Sequence, residues 1–128
     1  MSLENCAAFH GKAIKTGLVE TYVIENNDFT YGHLTIGKCR DKDKTDNVFE
    51  LWGIYIDPNH LRHGFGQKLL AFCESQAVKR GNHEIVIWVL KKNKIGRNFY
   101  DKNGYKPDGT EKHLEHISAV EVRYTKSI

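Results

Sequence analysis

Proline, cysteine and long apolar runs are scarce in this sequence of 128 residues. Only 2 Pro stand beside 11 Gly, while 40% of the residues are hydrophobic and 27% are charged. This composition excludes a disordered or fibrous protein. No apolar stretch approaches the roughly 20 residues that cross a bilayer. The length suits a single hydrophobic core, so we expect one domain over residues 1–128 and no membrane partner.

The few cysteines and the first residues indicate the compartment. Cys6, Cys39 and Cys73 are far apart and odd in number, without a Cys-x-x-Cys pair for zinc or redox chemistry. Residues 1–20 lack the charged start and apolar block of a secretory signal. We therefore expect a cytoplasmic protein with reduced cysteines.

Charge of one sign is not in large excess either. The 19 Lys and Arg face 16 Asp and Glu, for a net charge of +3, which is too mild to indicate nucleic-acid binding by itself. The basic cluster at Lys91–Arg97 lacks interleaved aromatic residues, so no nucleic-acid partner is expected. Binding of a small polyanion and solvated surface charge both stay open for such clusters.

The first half of the chain has the pattern of an antiparallel meander. β-Branched and aromatic residues alternate with polar ones over Val19–Glu25, Phe29–Cys39 and Asn47–Ile56, which predicts three strands. Polar turn residues separate these runs. Residues 1–17 have few apolar positions, whose spacing predicts one weak helix, and residues 1–18 are the poorly defined part of the domain.

Beyond Pro58 the apolar period becomes helical. It predicts an amphipathic helix over about Gly66–Arg80, with Gly81 ending it. Glu84–Leu90 is a nearly continuous apolar run, typical of a central strand covered on both faces. A helix joining two strands of one sheet makes them parallel, with a right-handed crossover.

A short second helix and two strands complete the predicted fold. Asn93 caps this helix, and Asn103 and Gly104 end it. Tyr105–Lys106 and Ala119–Thr125 predict the last two strands. The predicted fold class is α/β, with a mixed, mostly antiparallel twisted sheet, one parallel strand pair and flanking helices.

The loop after Pro58 has the features of an anion site. Arg62 and His63 precede Gly64 and Gly66 at the start of a helix. Glycines let backbone N–H groups approach a ligand, and the helix N-terminus adds partial positive charge. The segment is neither the dinucleotide Gly-x-Gly-x-x-Gly, because position 69 is Leu, nor a Walker A loop. An ordinary tight turn is the alternative.

Two segments together resemble the GNAT superfamily of acetyl-CoA-dependent N-acetyltransferases. Ile54–Leu70 is similar to that family's strand ending in Val/Ile-x-Pro, followed by Arg/Gln-x-x-Gly-x-Gly/Ala and an amphipathic helix. Asn93–Tyr105 matches the family's Asn and its later Phe/Tyr-Tyr-x-Lys-x-Gly-Phe/Tyr. The resemblance covers about residues 20–126. It implies the GNAT fold, in which the parallel pair splays apart, with a cofactor-binding part at about residues 47–105.

Two departures from the family pattern affect the expected site and assembly. Leu61 stands where the family has Arg or Gln, with Arg62 displaced by one. A complete family member has a first strand and two helices before its second strand, whereas about 18 residues are available here. The acceptor half therefore looks abbreviated. An exposed edge at Val19–Glu25 would need cover from residues 1–18 or from a second copy, and we expect a homodimer.

The resemblance implies how acetyl-CoA, the expected cosubstrate, is bound. Backbone amides at the helix start hold the pyrophosphate, with two basic side chains assisting. The pantetheine arm lies along the edge of the preceding strand, whose unpaired backbone groups it satisfies. A plain helix cap is the alternative for the asparagine of the second segment. The implied cofactor-binding residues are Ile54, Tyr55, Ile56, Arg62, His63, Gly64, Phe65, Gly66, Gln67, Asn93 and Lys102.

Tyr100 and Glu50 are the candidate catalytic residues. The resemblance gives Tyr100 the position of the tyrosine that protonates the departing thiolate; packing in the core is its alternative. A phenol of pKa about 10 can deliver a proton to a thiolate whose thiol has a pKa of about 8.5.

A general base must take the proton of the attacking amine. Glu50 is the candidate because strand periodicity places it on one face with Trp52 and Ile54. An ordinary strand carboxylate is the alternative, and His33 and Glu20 stay open as bases.

The implied function is acetyl transfer from acetyl-CoA to a primary amine, by direct attack in a ternary complex without a covalent enzyme intermediate. The alternative is a non-catalytic acyl-CoA-binding module of the same fold. His113 and His116 have the spacing of one helical turn but no third ligand nearby, so no metal is expected.

Overall fold

The computed structural model describes residues 8–16, 19–26, 29–61 and 63–128, with the backbone alone for residues 8–16 and 26. Within these residues two helices flank one sheet of seven strands. The strands are β1 (Ala8–Thr16), β2 (Val19–Asn26), β3 (Phe29–Lys38), β4 (Val48–Ile56), β5 (Glu84–Leu90), β6 (Lys106–Leu114) and β7 (Ala119–Ser127). The helices are α1 (Phe65–Lys79) and α2 (Lys94–Lys102).

The strand order is β1-β2-β3-β4-β5-β7-β6. The first four strands are antiparallel neighbours, β4 and β5 run parallel, and β7 pairs antiparallel with both β5 and β6. α1 makes the crossover between the parallel strands. The predicted fold class is confirmed, including the meander and its single crossover through a helix.

The predicted N-terminal helix is wrong for the part that the structure describes. Ala8–Thr16 is a strand that pairs antiparallel with β2, from Ala8 opposite Glu25 to Thr16 opposite Val19. An unpaired strand edge offers a row of backbone donors and acceptors. Pairing with this edge outweighs the weak helical preference of the segment. Residues 1–7 lie outside the described residues.

This pairing also removes the reason for expecting a homodimer. β2 lies between β1 and β3 and is not a sheet edge, because residues 8–16 of the same chain cover it. Dimer formation stays a prediction without support from an exposed β2. β1 and β2 are separated in sequence only by residues 17–18.

The sheet buries one face against both helices, and we call this the helix face. Phe49 of β4 and Ile87 of β5 share a buried cluster with Leu69 of α1 and Tyr100 of α2. Apolar burial of this kind supplies most of the free energy of folding. The opposite side of the sheet is the loop face. Side chains alternate along a strand, so Arg123, between two cluster residues of β7, lies there.

Both helices begin or end at the residues that the sequence predicts. Gly81 follows α1 with a φ of 79°, and its N–H donates to the Val78 carbonyl at 3.0 Å. The Asn93 Oδ1 accepts from the Gly96 N–H at 3.0 Å and caps α2. Neither helix of the described residues combines the length and apolar character needed to cross a membrane.

The last two strands are longer than predicted. β6 extends through Leu114, although Tyr105–Lys106 was the expected strand. The register between β6 and β7 shifts between Pro107 and Glu111. Proline and glycine in a strand are confined to edges and irregularities of this kind. Despite its turn-like residues, this segment is therefore a strand that begins again after the irregularity, and it contains His113.

Gly32 and Gly53 provide a matched test of the tight pairing between β3 and β4. A Cβ at Gly32 would lie 2.4 Å from the Tyr55 carbonyl oxygen, whereas a Cβ at Gly53 would meet nothing within 4 Å. We expect Gly32→Ala to lower the free energy of unfolding by about 1 to 3 kcal/mol, because the strands must move apart. Gly53→Ala should leave it nearly unchanged. Urea unfolding followed by circular dichroism measures both, and equal effects would contradict the close approach.

Candidate functional site

The parallel pair of strands separates part of the way along its length. The ladder between β4 and β5 contains four pairs and ends at Leu51 opposite Ile87. Beyond that point β4 still pairs with β3 on its other side, up to Ile56 opposite Gly32. The β5 side of residues 52–56 thus lies beyond the ladder. Backbone groups in such a place require other partners. We call this opening the slot.

A bulge in β4 accompanies the opening. Thr35 pairs with Gly53 and Ile36 with Leu51, so Trp52 is the extra residue. A bulge changes which face the following side chains point to. Ile54 accordingly packs against the helix-face cluster that also contains Leu51. The prediction that Glu50 shares a face with Ile54 is therefore wrong, because a strict two-residue period does not continue through the bulge.

The start of α1 lies beside the far end of the slot. Gly64 precedes the helix in a left-handed conformation with a φ of 82°, and no side chain of the described residues caps the helix. The first helical hydrogen bond shown is from the Lys68 N–H to the Gly64 carbonyl at 3.1 Å. Amides earlier in a first turn have no carbonyl partner within the helix. The predicted amides of Phe65, Gly66 and Gln67 occupy this turn.

Gly66 is the contact between α1, α2 and β4. A Cβ at this position would lie 3.3 Å from Phe99 Cζ of α2 and 4.0 Å from Ile56 Cγ1 of β4. The structure therefore brings Ile54, Ile56 and the first turn of α1 to one end of the sheet. Glycine is needed here for close packing and leaves the backbone of the turn accessible.

Aromatic rings hold the loop before α1. The Phe65 and Tyr31 rings stack with their centroids 4.7 Å apart, and the His63 ring lies 5.9 Å from Phe65. His60 Nδ1 lies 2.6 Å from Asp57 Oδ2. No local sequence pattern marks Tyr31 and His60 as site residues, because their partners come from another strand or from an unrecognised turn. Predicted Arg62 lies outside the described residues.

Tyr100 is buried on α2 with its ring among other aromatic rings. Its centroid lies 5.5 Å from that of Phe99 and 6.1 Å from that of Tyr105. Burial raises the pKa of Tyr100 to about 12, with a smaller contribution from Cys73. Within the described residues no enclosed side-chain oxygen or nitrogen lacks a partner. The Tyr100 hydroxyl has no hydrogen bond there, so it must reach accessible space.

Two further predicted cofactor residues also lie on or next to α2. Asn93 is exposed, and its side chain makes the helix cap described above. The helix cap that the sequence offers as the alternative role of Asn93 is therefore observed. Lys102 is the exposed last residue of the helix. Their contacts with a cofactor stay predictions.

Glu50 is fully buried and held by Arg40. The Arg40 backbone N–H donates to Glu50 Oε1 at 3.0 Å, and Arg40 Nε and Nη2 also donate to the carboxylate. The Arg40 guanidinium carbon lies 3.6 Å from the centroid of the Trp52 ring. Glu50 therefore fixes Arg40 above the bulge residue. Its role as general base stays a prediction.

The other two candidate bases have different surroundings. The Glu20 carboxylate accepts hydrogen bonds from the Tyr22 hydroxyl at 2.7 Å and from the Arg80 guanidinium. Arg80 follows the C-terminus of α1, whereas the slot lies beside the N-terminus of that helix. His33 is exposed and its ring stacks on Tyr55, with centroids 5.3 Å apart. Tyr55 itself belongs to the segment of β4 that borders the slot.

Arg123 organises the loop face in a way that no local pattern indicates. Its side chain is 5% exposed and donates to Asp108 at 2.7 Å, to Asp43 at 2.7 and 2.8 Å and to Asp41 at 3.0 Å. Hydrogen bonds from Arg123 lower the pKa of Asp43 to about 2. The Trp88 Nε1 donates to Asp41 at 3.0 Å. These bonds hold residues 39–47 against β5 and β7.

Cys39, Asp41 and Glu50 each offer a ligand atom within 4.8 Å of one another. Both carboxylates already accept hydrogen bonds from Trp88, Arg123 or Arg40. Burial raises the pKa of the Cys39 thiol to about 11. A protonated thiol and hydrogen-bonded carboxylates make a poor metal site.

Comparison with known proteins finds a family model and a curated relative that match this chain. The model of the acetyltransferase (GNAT) family matches residues 7–105 of the chain. Spermidine N(1)-acetyltransferase of Thermoplasma acidophilum is 34% identical over 65 residues, which cover 51% of this chain and 40% of that protein. The aligned part of the chain thus spans well under half the length of this curated relative.

Solved structures resemble the whole fold. A Bacillus anthracis protein described as a streptothricin acetyltransferase, solved in complex with acetyl coenzyme A, has a TM-score of 0.75 at 16% identity; the match covers 94% of this chain and 69% of that chain. The ribosomal-protein-S18-alanine N-acetyltransferase of Escherichia coli has a TM-score of 0.70 at 16% identity, with 89% and 72% covered.

Glu50→Gln tests what the buried carboxylate does. An amide would present its NH2 group to the Arg40 donors, so we expect the free energy of unfolding to fall by about 3 kcal/mol. Urea unfolding measures this loss, with Glu121→Gln on the same face as the matched control. If Glu50 also acts as the general base, the acid limb of the activity profile should be displaced in Glu50→Gln. An acid limb that stays in place beside the loss of stability would leave Glu50 with a structural role alone.

Proposed function

The chain belongs to the acetyltransferase (GNAT) family, and we propose that it transfers an acetyl group from acetyl-CoA to a primary amine. One observation carries the proposal: the ladder of β4 and β5 ends at Leu51 and Ile87, beside an uncapped helix start. Within the part of the chain that the structure describes, the slot has unpaired backbone groups and the first turn of α1 has free amides. Two kinds of binding group therefore lie in one place.

These groups fit the chemistry of coenzyme A. The amides of its pantetheine arm are donors and acceptors that can pair with residues 52–56 of β4, as an added strand does. Its pyrophosphate is an anion suited to the free amides at Phe65, Gly66 and Gln67. The first turn of α1 contains no acidic residue that would repel this anion. His63, which is exposed in the same loop, offers a ring N–H donor to the same anion. We accordingly take residues 47–105 as the cofactor-binding part.

Acetyl-CoA supplies an activated acyl group whose thiolate must be protonated as it leaves. Tyr100 is suited to give this proton, because its raised pKa of about 12 keeps the phenol protonated through neutral and mildly alkaline pH. Its hydroxyl also has no competing hydrogen bond within the described residues. The rate should therefore show no alkaline limb from Tyr100 below about pH 10.

Direct attack by the amine agrees with the state of the described cysteines. Burial raises the pKa of Cys73 to about 12 and that of Cys39 to about 11. A thiol with such a pKa is almost entirely protonated near neutral pH, and the thiolate is the nucleophile. Neither cysteine is suited to carry the acetyl group, which favours a ternary complex over a covalent intermediate.

The acceptor side is the loop face at the slot. Trp52 with Arg40 above it borders the slot there, and His33 and Tyr55 are exposed beside it. A spermidine acetyltransferase and a ribosomal-protein-alanine acetyltransferase are among the relatives. Both names support an amine acceptor and differ in its kind, so we propose a primary amine and no single compound.

Gly66→Val tests the cofactor site. The branched side chain would enter the contact with Phe99 and cover the amides of the first turn, so we expect the coenzyme A-dependent rise in melting temperature to vanish. Wild type at 100 times its dissociation constant should gain about 2.7 kcal/mol. Ala71→Val, at an exposed position of the same helix, should keep the shift. Normal binding by Gly66→Val would place the phosphates elsewhere.

Tyr100→Phe tests the proton donor. We expect turnover to fall by roughly 10- to 1000-fold with little change in coenzyme A affinity, since the proton is needed only in the transition state. Release of free thiol from acetyl-CoA with an amine panel measures turnover. Tyr105→Phe, which loses a hydrogen bond to Glu74, serves as the control for lost stability. Equal turnover in Tyr100→Phe would make Tyr100 a packing residue, and no thiol release by wild type would favour the binding module.

A further inference from the structure

The two tryptophans of the chain stand at the inner end of the slot. The ladder of β4 and β5 ends at Leu51 and Ile87, and the next residue of each strand is Trp52 or Trp88. A cation of the protein lies close over each ring. The guanidinium carbon of Arg40 lies 3.6 Å from the Trp52 centroid. Lys112 Nζ lies 4.2 Å from the Trp88 centroid, nearer than the Arg123 guanidinium carbon at 5.6 Å.

The two cations differ in chemistry. Arg40 is fixed by the buried Glu50 carboxylate, and a guanidinium keeps its proton and does not act as an amine nucleophile. Lys112 carries a primary amine, the acceptor class of the proposed reaction. An ammonium over a tryptophan face is weakly attracted to the ring, which favours this position and leaves the amine free to move.

The position of Lys112 requires its side chain to reach across a strand. Lys112 on β6 lies opposite Glu121 of β7, which in turn lies opposite Leu90 of β5. The half-buried Lys112 side chain therefore passes over β7 to meet Trp88 on β5. Lys106, on the same strand, shows the contrasting case: its side chain is 75% exposed and its Nζ lies 3.7 Å from Asp101.

We propose that Lys112 is an acetylation site of the protein itself, modified within one molecule by its own bound acetyl-CoA. The inference rests on the proposed function. The Lys112 amine loses a proton to water and forms a bond to the acetyl carbon. The thioester C–S bond breaks, and coenzyme A leaves as a thiolate that takes up a proton. The products are acetyl-Lys112 and free coenzyme A, without an oxidant or reductant.

The experiment incubates the full chain with acetyl-CoA and no other amine, then maps acetylated lysines by mass spectrometry. Uncatalysed acetylation follows exposure, so it would modify Lys106 before Lys112. We expect the reverse, with Lys112 at least about tenfold faster, because the amine is held near the reacting group. The rate should be independent of protein concentration. Tyr100→Phe should slow acetylation of Lys112 and not that of Lys106, and Lys112→Arg should lose the rapid phase.

Two outcomes overturn this inference alone. The first is acetylation of Lys112 no faster than that of Lys106, and the second is a Lys112 rate that rises in proportion to protein concentration. In both, the wild type still transfers acetyl groups to an added amine. Failure of the proposed function looks different. In that case coenzyme A gives no melting shift, and no thiol is released with any amine.

Discussion

The early end of the ladder between β4 and β5 is the constraint on which the site depends. Four residue pairs hold the two strands together. The bulge at Trp52 then shifts the register of β4 against β3 by one residue. A sheet that continued pairing to Ile56 would have no unsatisfied edge in its interior. The opening is stable because β3 holds β4 on one side and β7 holds β5 on the other.

The two faces of the sheet at this opening are stabilised in different ways. The helix face relies on apolar packing between the sheet, α1 and α2. The loop face relies on Arg123, whose three carboxylate partners come from residues 41, 43 and 108. Removing one partner of such a group leaves an uncompensated charge, which is costly in a buried setting. The loop that carries Arg40 is thereby fixed next to Glu50 and Trp52, at the inner end of the slot.

The local sequence pattern was sufficient to predict elements whose own residues and tertiary contacts favour the same structure. The continuous apolar run of β5, the helical period before Gly81 and the Asn93 cap all predicted the observed structure. β1 and most of β6 were missed for one physical reason. Both are outer strands of the sheet, and such strands owe their conformation to the neighbour they pair with more than to their own residues.

The residues of the candidate site also fall into those that a local pattern predicts and those that only tertiary contacts bring together. The glycines at the start of α1 and the tyrosine of α2 could be recognised from short motifs, because their neighbours in sequence are also their neighbours in space. The Arg123 cluster joins residues about 80 positions apart, and Arg40 meets Glu50 only once the loop has folded back. Periodicity also failed at the bulge, where one extra residue moved Ile54 to the helix face.

A crystal structure with acetyl-CoA tests the central claim most directly. We expect the pantetheine arm to lie along residues 52–56 of β4 in the slot, and the pyrophosphate to lie on the amides of Phe65, Gly66 and Gln67. The ladder should still end at Leu51 and Ile87. A cofactor bound elsewhere, or strands that pair through Ile56 and leave no slot, would contradict it.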